Sequence, residues 1–203
     1  MADSAAAAAT RRRAAELEAA VQGARTGDED DFRALYRELG PRLLNYVRSI
    51  VGEADAEDVA AETWAAIARG LPRFTGDADG FRGWTTTIAR NRARDHLRRR
   101  RPVLPMPNEE LPVATAVDDT AVEAVDALST AVALRLIAGL PPDQAQAVLL
   151  QVVVGLDSPS AATLLDKKAD NVRAATRRGL RSLARRLHLD VAPSSNPVPR
   201  KAR

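Results

Sequence analysis

Apolar residues recur every three to four positions along most of the chain, and no stretch sustains the period-two alternation of a half-buried strand. This spacing predicts an all-α fold. "AAELEAAVQGARTG" (14–27) reads as a short helix stopped by Gly27. In "DEDDFRALYRELGPRLLNYVRSIVG", Phe32, Leu35, Tyr36, Leu39, Leu43, Tyr46 and Val47 share one stripe, Gly40-Pro41 marks a break or kink, and the helix ends near Gly52. "DAEDVAAETWAAIARGLPRF" predicts a helix N-capped by Asp55 that reaches Gly70, with Pro72 behind it. "TGDADG" (75–80) is a loop by composition, and another helix runs from about Phe81 to Arg101.

The periodicity then stops. "PVLPMPNEELPVATAVDD" has four prolines and the composition of a flexible, acidic linker with polyproline bias. Helical spacing returns from about Ala121 to Leu140, and Pro141-Pro142-Asp143 opens a helix that stops near Gly155. Ser158 is expected as an N-cap with Pro159 at the first helical position, giving a short helix over 159–165. Asp170 is expected to cap a last helix over 171–187, with Val172, Thr176, Leu180, Leu183 and Leu187 as its buried stripe. The tail "APSSNPVPRKAR" has the composition of a disordered segment. The expected organisation is an alanine-rich segment and short helix (1–26), a first helical domain (27–101), the linker (102–125), a second helical domain (126–190) and the tail (191–203).

Charge sharpens the picture. The net charge is only +3, although 28% of residues are charged, so acids and bases are segregated. Asn108 to Asp126 holds Glu109, Glu110, Asp118, Asp119, Glu123 and Asp126 and no base, whereas the helix from Phe81 and the chain beyond Ser160 are rich in arginine. Two basic blocks split by an acidic stretch suggest two separate contacts with a polyanion. Cysteine is absent, which excludes disulfides and thiolate metal sites within the chain. The opening alanines are too short and too weakly apolar for a signal peptide, and "VLLQVVVGL" falls far short of a membrane span, so a cytoplasmic location is expected. No metal site, cofactor or catalytic set is expected: His96 and His188 lie far apart without a ligand set, and no glycine-rich phosphate loop is present.

The basic helices differ in kind. Residues 158–187 have the layout of a helix-turn-helix, with Arg173, Arg177, Arg181 and Arg185 in one row beside the apolar stripe. Such a row can enter a major groove, although arginine also suits a solvated surface helix. The helix from Phe81 mixes Trp84, Thr85, Thr86, Thr87 and Asn91 with its arginines, a combination that suits unstacked single-stranded bases. Phe81 and Ile88 are expected in the core instead. Helix 55–70 carries Asp55, Glu57, Asp58 and Glu62 before its first base, Arg69; this fits the helix macrodipole, or an acidic rim beside Trp64 for a basic protein partner.

Together, "DFRALYRELGPRLLNYVRSIVG", "DAEDVAAETWAAIARGLPRF" and "FRGWTTTIARNRARDHLRRRR" resemble region two of the extracytoplasmic-function (ECF) sigma factors of bacterial RNA polymerase. "LPPDQAQAVLLQVVVGL" followed by the helix-turn-helix and "VRAATRRGLRSLARRL" resembles their region four. The resemblance spans roughly residues 20 to 188. It implies that Asp55, Asp58, Glu62 and Trp64 dock on core polymerase. It implies that loop 75–80 and Asn91 form a pocket for a base flipped from the minus-ten promoter element and that Arg90, Arg94 and Arg98 face promoter backbone. With Trp84, read above from its stacking chemistry, Arg90, Asn91, Arg94 and Arg98 make up the expected minus-ten set. Lys168, Asn171, Arg173 and Arg177 match the recognition segment for the minus-thirty-five element. Where the family usually has an acid and an aliphatic residue on the first helix of the motif, this chain has Ser160 and Ala161; where it favours glycine in the turn, it has Asp166. The implied partners are core RNA polymerase and promoter DNA; an anti-sigma factor is common in the family, though no residue here specifies one. About 20 linker residues span at most ~66 Å at ~3.3 Å each, close to two duplex turns. The alternative is a stand-alone helix-turn-helix regulator, which leaves helix 55–70 and the aromatic–arginine helix without a task.

Overall fold

The computed structural model describes residues 2–100 and 125–191, and every element among them is helical. The first half comprises α1 (Ala2–Arg25), α2 (Glu29–Val51), α3 (Glu53–Gly70), a 3-10 turn (Leu71–Arg73) and α4 (Ala78–Arg100). The second comprises α5 (Val125–Ala138), α6 (Pro142–Val148), a π-helical turn (Leu149–Val154), α7 (Ser158–Leu165) and α8 (Ala169–Val191). The expected linker and tail both fall almost wholly outside the described residues, with Val125 opening α5 and Val191 closing α8.

α2 is the centre of the first bundle and packs against α1, α3 and α4. It begins at Asp28, whose carboxylate accepts the Asp30 and Asp31 amides, and buries Leu35, Leu39, Leu43, Tyr46 and Val47 as the stripe requires. It runs through Pro41 without the expected break. Proline removes one intrahelical hydrogen bond, and the apolar burial on both sides of Pro41 outweighs that loss. Tyr36, counted in the stripe, is 52% exposed.

α1 is longer than expected because alanine carries the helix back to Ala2. Its last turns insert Leu17, Ala20, Val21 and Ala24 into the core. α3 starts at Glu53 behind Gly52, so Asp55 stands inside the first turn rather than at the cap.

In the second bundle α6 packs along α8, and α7 crosses α8 to complete the helix-turn-helix. Asp157, not Ser158, caps α7 by accepting the Ser160 amide at 2.8 Å. The turn after α7 places Asp166 in the left-handed region (φ 52°, ψ 48°). α8 begins at Ala169, so Asp170 lies in its first turn rather than at the cap. The buried side of α8 is Val172, Ala175, Thr176 and Gly179, whereas Leu180 and Leu187, expected in the stripe, are 43% and 48% exposed. α6 explains the shift: at Gly179 a Cβ would stand 2.7 Å from the Val148 side chain, so the packed side of α8 is centred beside Leu180 rather than on it, and Leu183 farther along still packs against the core.

The bundles touch. α7 packs on α4, the π-helical turn packs on α2, and Arg42 donates to the Val154 carbonyl at 3.5 Å. Gly155 ends that turn at φ 86° and ψ 29°, and a Cβ there would approach the Arg42 guanidinium to 2.6 Å. Gly155→Ala is therefore expected to lower stability by about 1–2 kcal/mol from backbone strain alone, as urea unfolding would measure.

Candidate functional site

α4 has a thin core side. Phe81, Thr85, Thr86, Ala89 and Ala93 are buried, and the hydroxyls of Thr85 and Thr86 donate to the Arg82 carbonyl at 3.0 and 2.6 Å. Both buried hydroxyls are thereby satisfied without a partner from another helix. Trp84, Asn91 and Arg98 recur at seven-residue intervals and line the opposite side, flanked by Arg94 and, farther round, Arg90. Asn91 and Arg98 are exposed, and Arg98 pairs with Asp95. Trp84 is half-buried, with its ring centroid 5.1 Å from Phe74 and 5.7 Å from Phe81. It closes over Gly70, where a Cβ would come within 2.7 Å of the indole. Arg90 is half-buried and donates to the Leu164 carbonyl at the end of α7. Burial pushes the nearby Tyr46 hydroxyl up to about 12, against a smaller downward pull from Arg90.

The loop before α4 is shorter than expected because the helix already starts at Ala78. At ~1.5 Å per residue, roughly 20 Å of helix separates Ala78 from Asn91. One flipped base cannot touch both, so the pocket expected between the loop and Asn91 is not formed. The loop is bordered by Phe74, with Trp84 stacked behind it.

The four residues expected to dock on polymerase occupy different environments. Asp55 is only 14% exposed, and its carboxylate meets Arg100 at 2.5 Å and His96 Nε2 at 3.3 Å, the latter without hydrogen-bond alignment. It ties the start of α3 to the end of α4. Glu62 reaches Arg99 at 3.5 Å across the surface. Asp58 is exposed and makes no ion pair among the described residues. Trp64 is 8% exposed beneath Phe32 and Tyr36, at ring separations of 5.9 and 4.8 Å. The aromatic ring open to solvent at this place is Tyr36, which the helical stripe had assigned to the core.

In the helix-turn-helix, Lys168, Asn171, Arg173 and Arg177 are all exposed. Arg173, Arg177 and Arg181 form a row opposite the buried side of α8, and Arg173 pairs with Asp170. Asn171 lies on the flank of that row, lining a groove with Asp143, Lys167 and Arg178. Gln151, missed in the sequence, joins three elements: its amide donates to the Ser158 hydroxyl at 2.7 Å and accepts from the Thr176 hydroxyl at 2.6 Å. It thereby links the π-helical turn to the start of α7 and the middle of α8. A lone glutamine in an apolar run gives no sign of such partners.

The model for sigma-70 region 2 matches residues 35–103, and that for sigma-70 region 4 matches residues 131–183. The ECF RNA polymerase sigma factor BldN of Streptomyces coelicolor is 32% identical over 188 residues, covering 89% of this chain and 71% of that protein. The chain belongs to the ECF RNA polymerase sigma factors. The RNA polymerase sigma factor CarQ of Myxococcus xanthus is 31% identical, with 83% of this chain and 97% of that protein covered. In fold it is similar to CnrH, solved in complex with the cytosolic domain of CnrY (TM-score 0.58, 23% identity, 86% of this chain and 99% of that chain). It is also similar in fold to the sigma factor RpoE of Bartonella quintana, solved with the anti-sigma factor NepR (TM-score 0.54, 18% identity, 79% and 98%). An ECF sigma factor binds core polymerase, directs it to promoters and helps open the minus-ten element. The alternative of a stand-alone regulator is not favoured. The family's members are not enzymes, and no helix among the described residues is long and apolar enough to cross a membrane.

The contrast between the two aspartates of α3 is measurable. Asp55→Ala leaves His96 and Arg100 without their carboxylate and should cost about 1–2 kcal/mol of stability. Asp58→Ala should stay within about 0.5 kcal/mol of the parent in the same urea titration.

Proposed function

We propose that the ECF sigma factor divides its work among three faces: an acidic–aromatic face on α2 and α3 for core polymerase, the Trp84–Asn91–Arg98 line on α4 for the minus-ten element, and the arginine row on α8 for the minus-thirty-five element. The observation that carries this reading is the segregation of charge, with Asp58 and Glu62 open to solvent on α3 and the arginine lines on α4 and α8. The protein supplies specificity and no catalysis, and works in the cytoplasm. Polymerase and promoter DNA are its partners, and an anti-sigma factor is a further one, supported by the complexes in which similar folds were solved.

On the polymerase face, Asp58 and Glu62 supply charge and Tyr36 supplies an exposed ring backed by Trp64, the arrangement of an interface anchor. Asp55 and Trp64 act beneath the surface. On α4, Arg90 serves two ends. It holds the Leu164 carbonyl while α7 lies on α4, and phosphate takes the place of that carbonyl once the two modules separate to span their promoter elements. On α8, Arg173 and Arg177 face the groove, Lys168 leads into it, and Asn171 contributes from the flank.

The expected outcomes separate the three faces. Reversal of Asp58 and Glu62 to Lys, or Tyr36→Ala, weakens capture of core polymerase in a pull-down while the chain stays folded. Arg173→Ala and Arg177→Ala each weaken recruitment to the upstream element by about 1–3 kcal/mol where the side chain meets a base. Asn91→Ala leaves core binding intact and lowers permanganate reactivity of minus-ten thymines in the holoenzyme. Tight, promoter-specific duplex binding by the isolated chain at near-physiological salt would instead support a stand-alone regulator.

A further inference from the structure

α1 lies outside the region that matches the sigma-70 region 2 model, yet it reaches the start of the minus-ten helix. The Glu18 carboxylate accepts the backbone amide of Ala78 at 2.5 Å, from 60 positions away in sequence. Ala78 is the first residue of α4, and its N–H is one of the amides that a helix cannot satisfy internally. Asp77 takes a second, accepting the Gly80 amide at 2.7 Å. Ala78 is only 5% exposed, so water has little access to replace the carboxylate. The negative charge also stands at the positive end of the α4 dipole, where it is favoured.

What lies next to Ala78 gives this contact its meaning. Gly76 holds φ at 154°, and a Cβ there would press to 2.9 Å from the Phe74 ring. That ring packs against Phe81 and Trp84. Glu18, Ala78, the 74–77 loop and Trp84 are therefore mechanically in series. We propose that Glu18 is a positioning residue for promoter opening: it fixes the first turn of α4, and with it the loop and the Trp84 ring that meet the unstacked minus-ten strand. The proposal rests on the reading of α4 given above. It assigns α1 a role in opening and not only in filling the core.

The burial of Leu17, Ala20, Val21 and Ala24 anchors α1 independently of Glu18, so substitution there acts locally. The test uses holoenzyme made with the full chain and a promoter fragment recovered by wild-type holoenzyme from a randomised duplex library. Glu18→Ala should lower permanganate reactivity of minus-ten thymines by about tenfold, the scale of one lost charge-assisted hydrogen bond. Core binding and closed-complex retention should stay within about twofold, because Glu18 belongs neither to the polymerase face of α2 and α3 nor to the arginine row of α8. Glu18→Gln, which keeps the acceptor oxygen, should restore most of the opening. Amide exchange in the free Glu18→Ala chain should accelerate at residues 76–81 and nowhere else. Normal opening by Glu18→Ala, failure of Glu18→Gln to recover any opening, or exchange that accelerates throughout the first bundle would each overturn the proposal. Trp84→Ala is run alongside. If it opens the promoter normally, the reading of α4 is what has failed, whatever Glu18 does.

Discussion

Helix α4 is charged along most of its length and must still give one side to a core. The residues that do so are small or internally satisfied: Ala89, Ala93, and two threonines whose hydroxyls return to their own backbone. A side of that kind lets α4 lie close to α2 and α3 without burying an unpaired polar group. The only large fully buried side chain it contributes is Phe81. The close fit continues at Gly70, which admits Trp84. The arginines at the far end of α4 repel one another, and the acids of α3 lie against them, through Asp55 with Arg100 and Glu62 with Arg99. The acidic helix and the basic helix are thus one electrostatic unit, and the acids left over, such as Asp58, are the ones available to another molecule.

This division explains how far the sequence could be read. Helix class, helix count in each half and the helix-turn-helix follow from spacing alone, because a 3.6-residue period and proline or glycine punctuation are local signals. The left-handed turn at Asp166 was marked by the family pattern, which favours glycine there, and not by spacing. What escaped depends on contacts between residues distant in sequence. Spacing put Tyr36 in the core stripe, yet its ring lies over Trp64 at the surface. It put Leu180 and Leu187 inside, yet the side of α8 that packs on α6 is centred on Gly179. Local rules chose Asp55 and Ser158 as caps, but a glycine precedes α3 and Asp157 precedes α7. Pairings such as Glu18 with Ala78, or Gln151 with Ser158 and Thr176, carry no local signature at all.

Two departures from the family pattern also acquire a cause. Ser160 and Ala161 stand on α7 where an acid and an aliphatic residue are usual. Ala161 is fully buried, and Ser160 faces Gly83 of α4, where a Cβ would lie 3.7 Å from that of Ser160. A bulkier residue at either position would crowd this approach. Small side chains at 83 and 160 are what let α7 settle on the arginine helix and let Arg90 reach the Leu164 carbonyl.

The same near-contact has a chemical corollary. A separation of 3.7 Å between Cβ positions falls within the ~3.5–4.5 Å that a disulfide bridges. The chain has no cysteine of its own to compete for an introduced pair. Thiols placed at 83 and 160 and oxidised by an added disulfide or oxygen would form a covalent clasp between α4 and α7, and any parting of the two helices would then wait on a reductant.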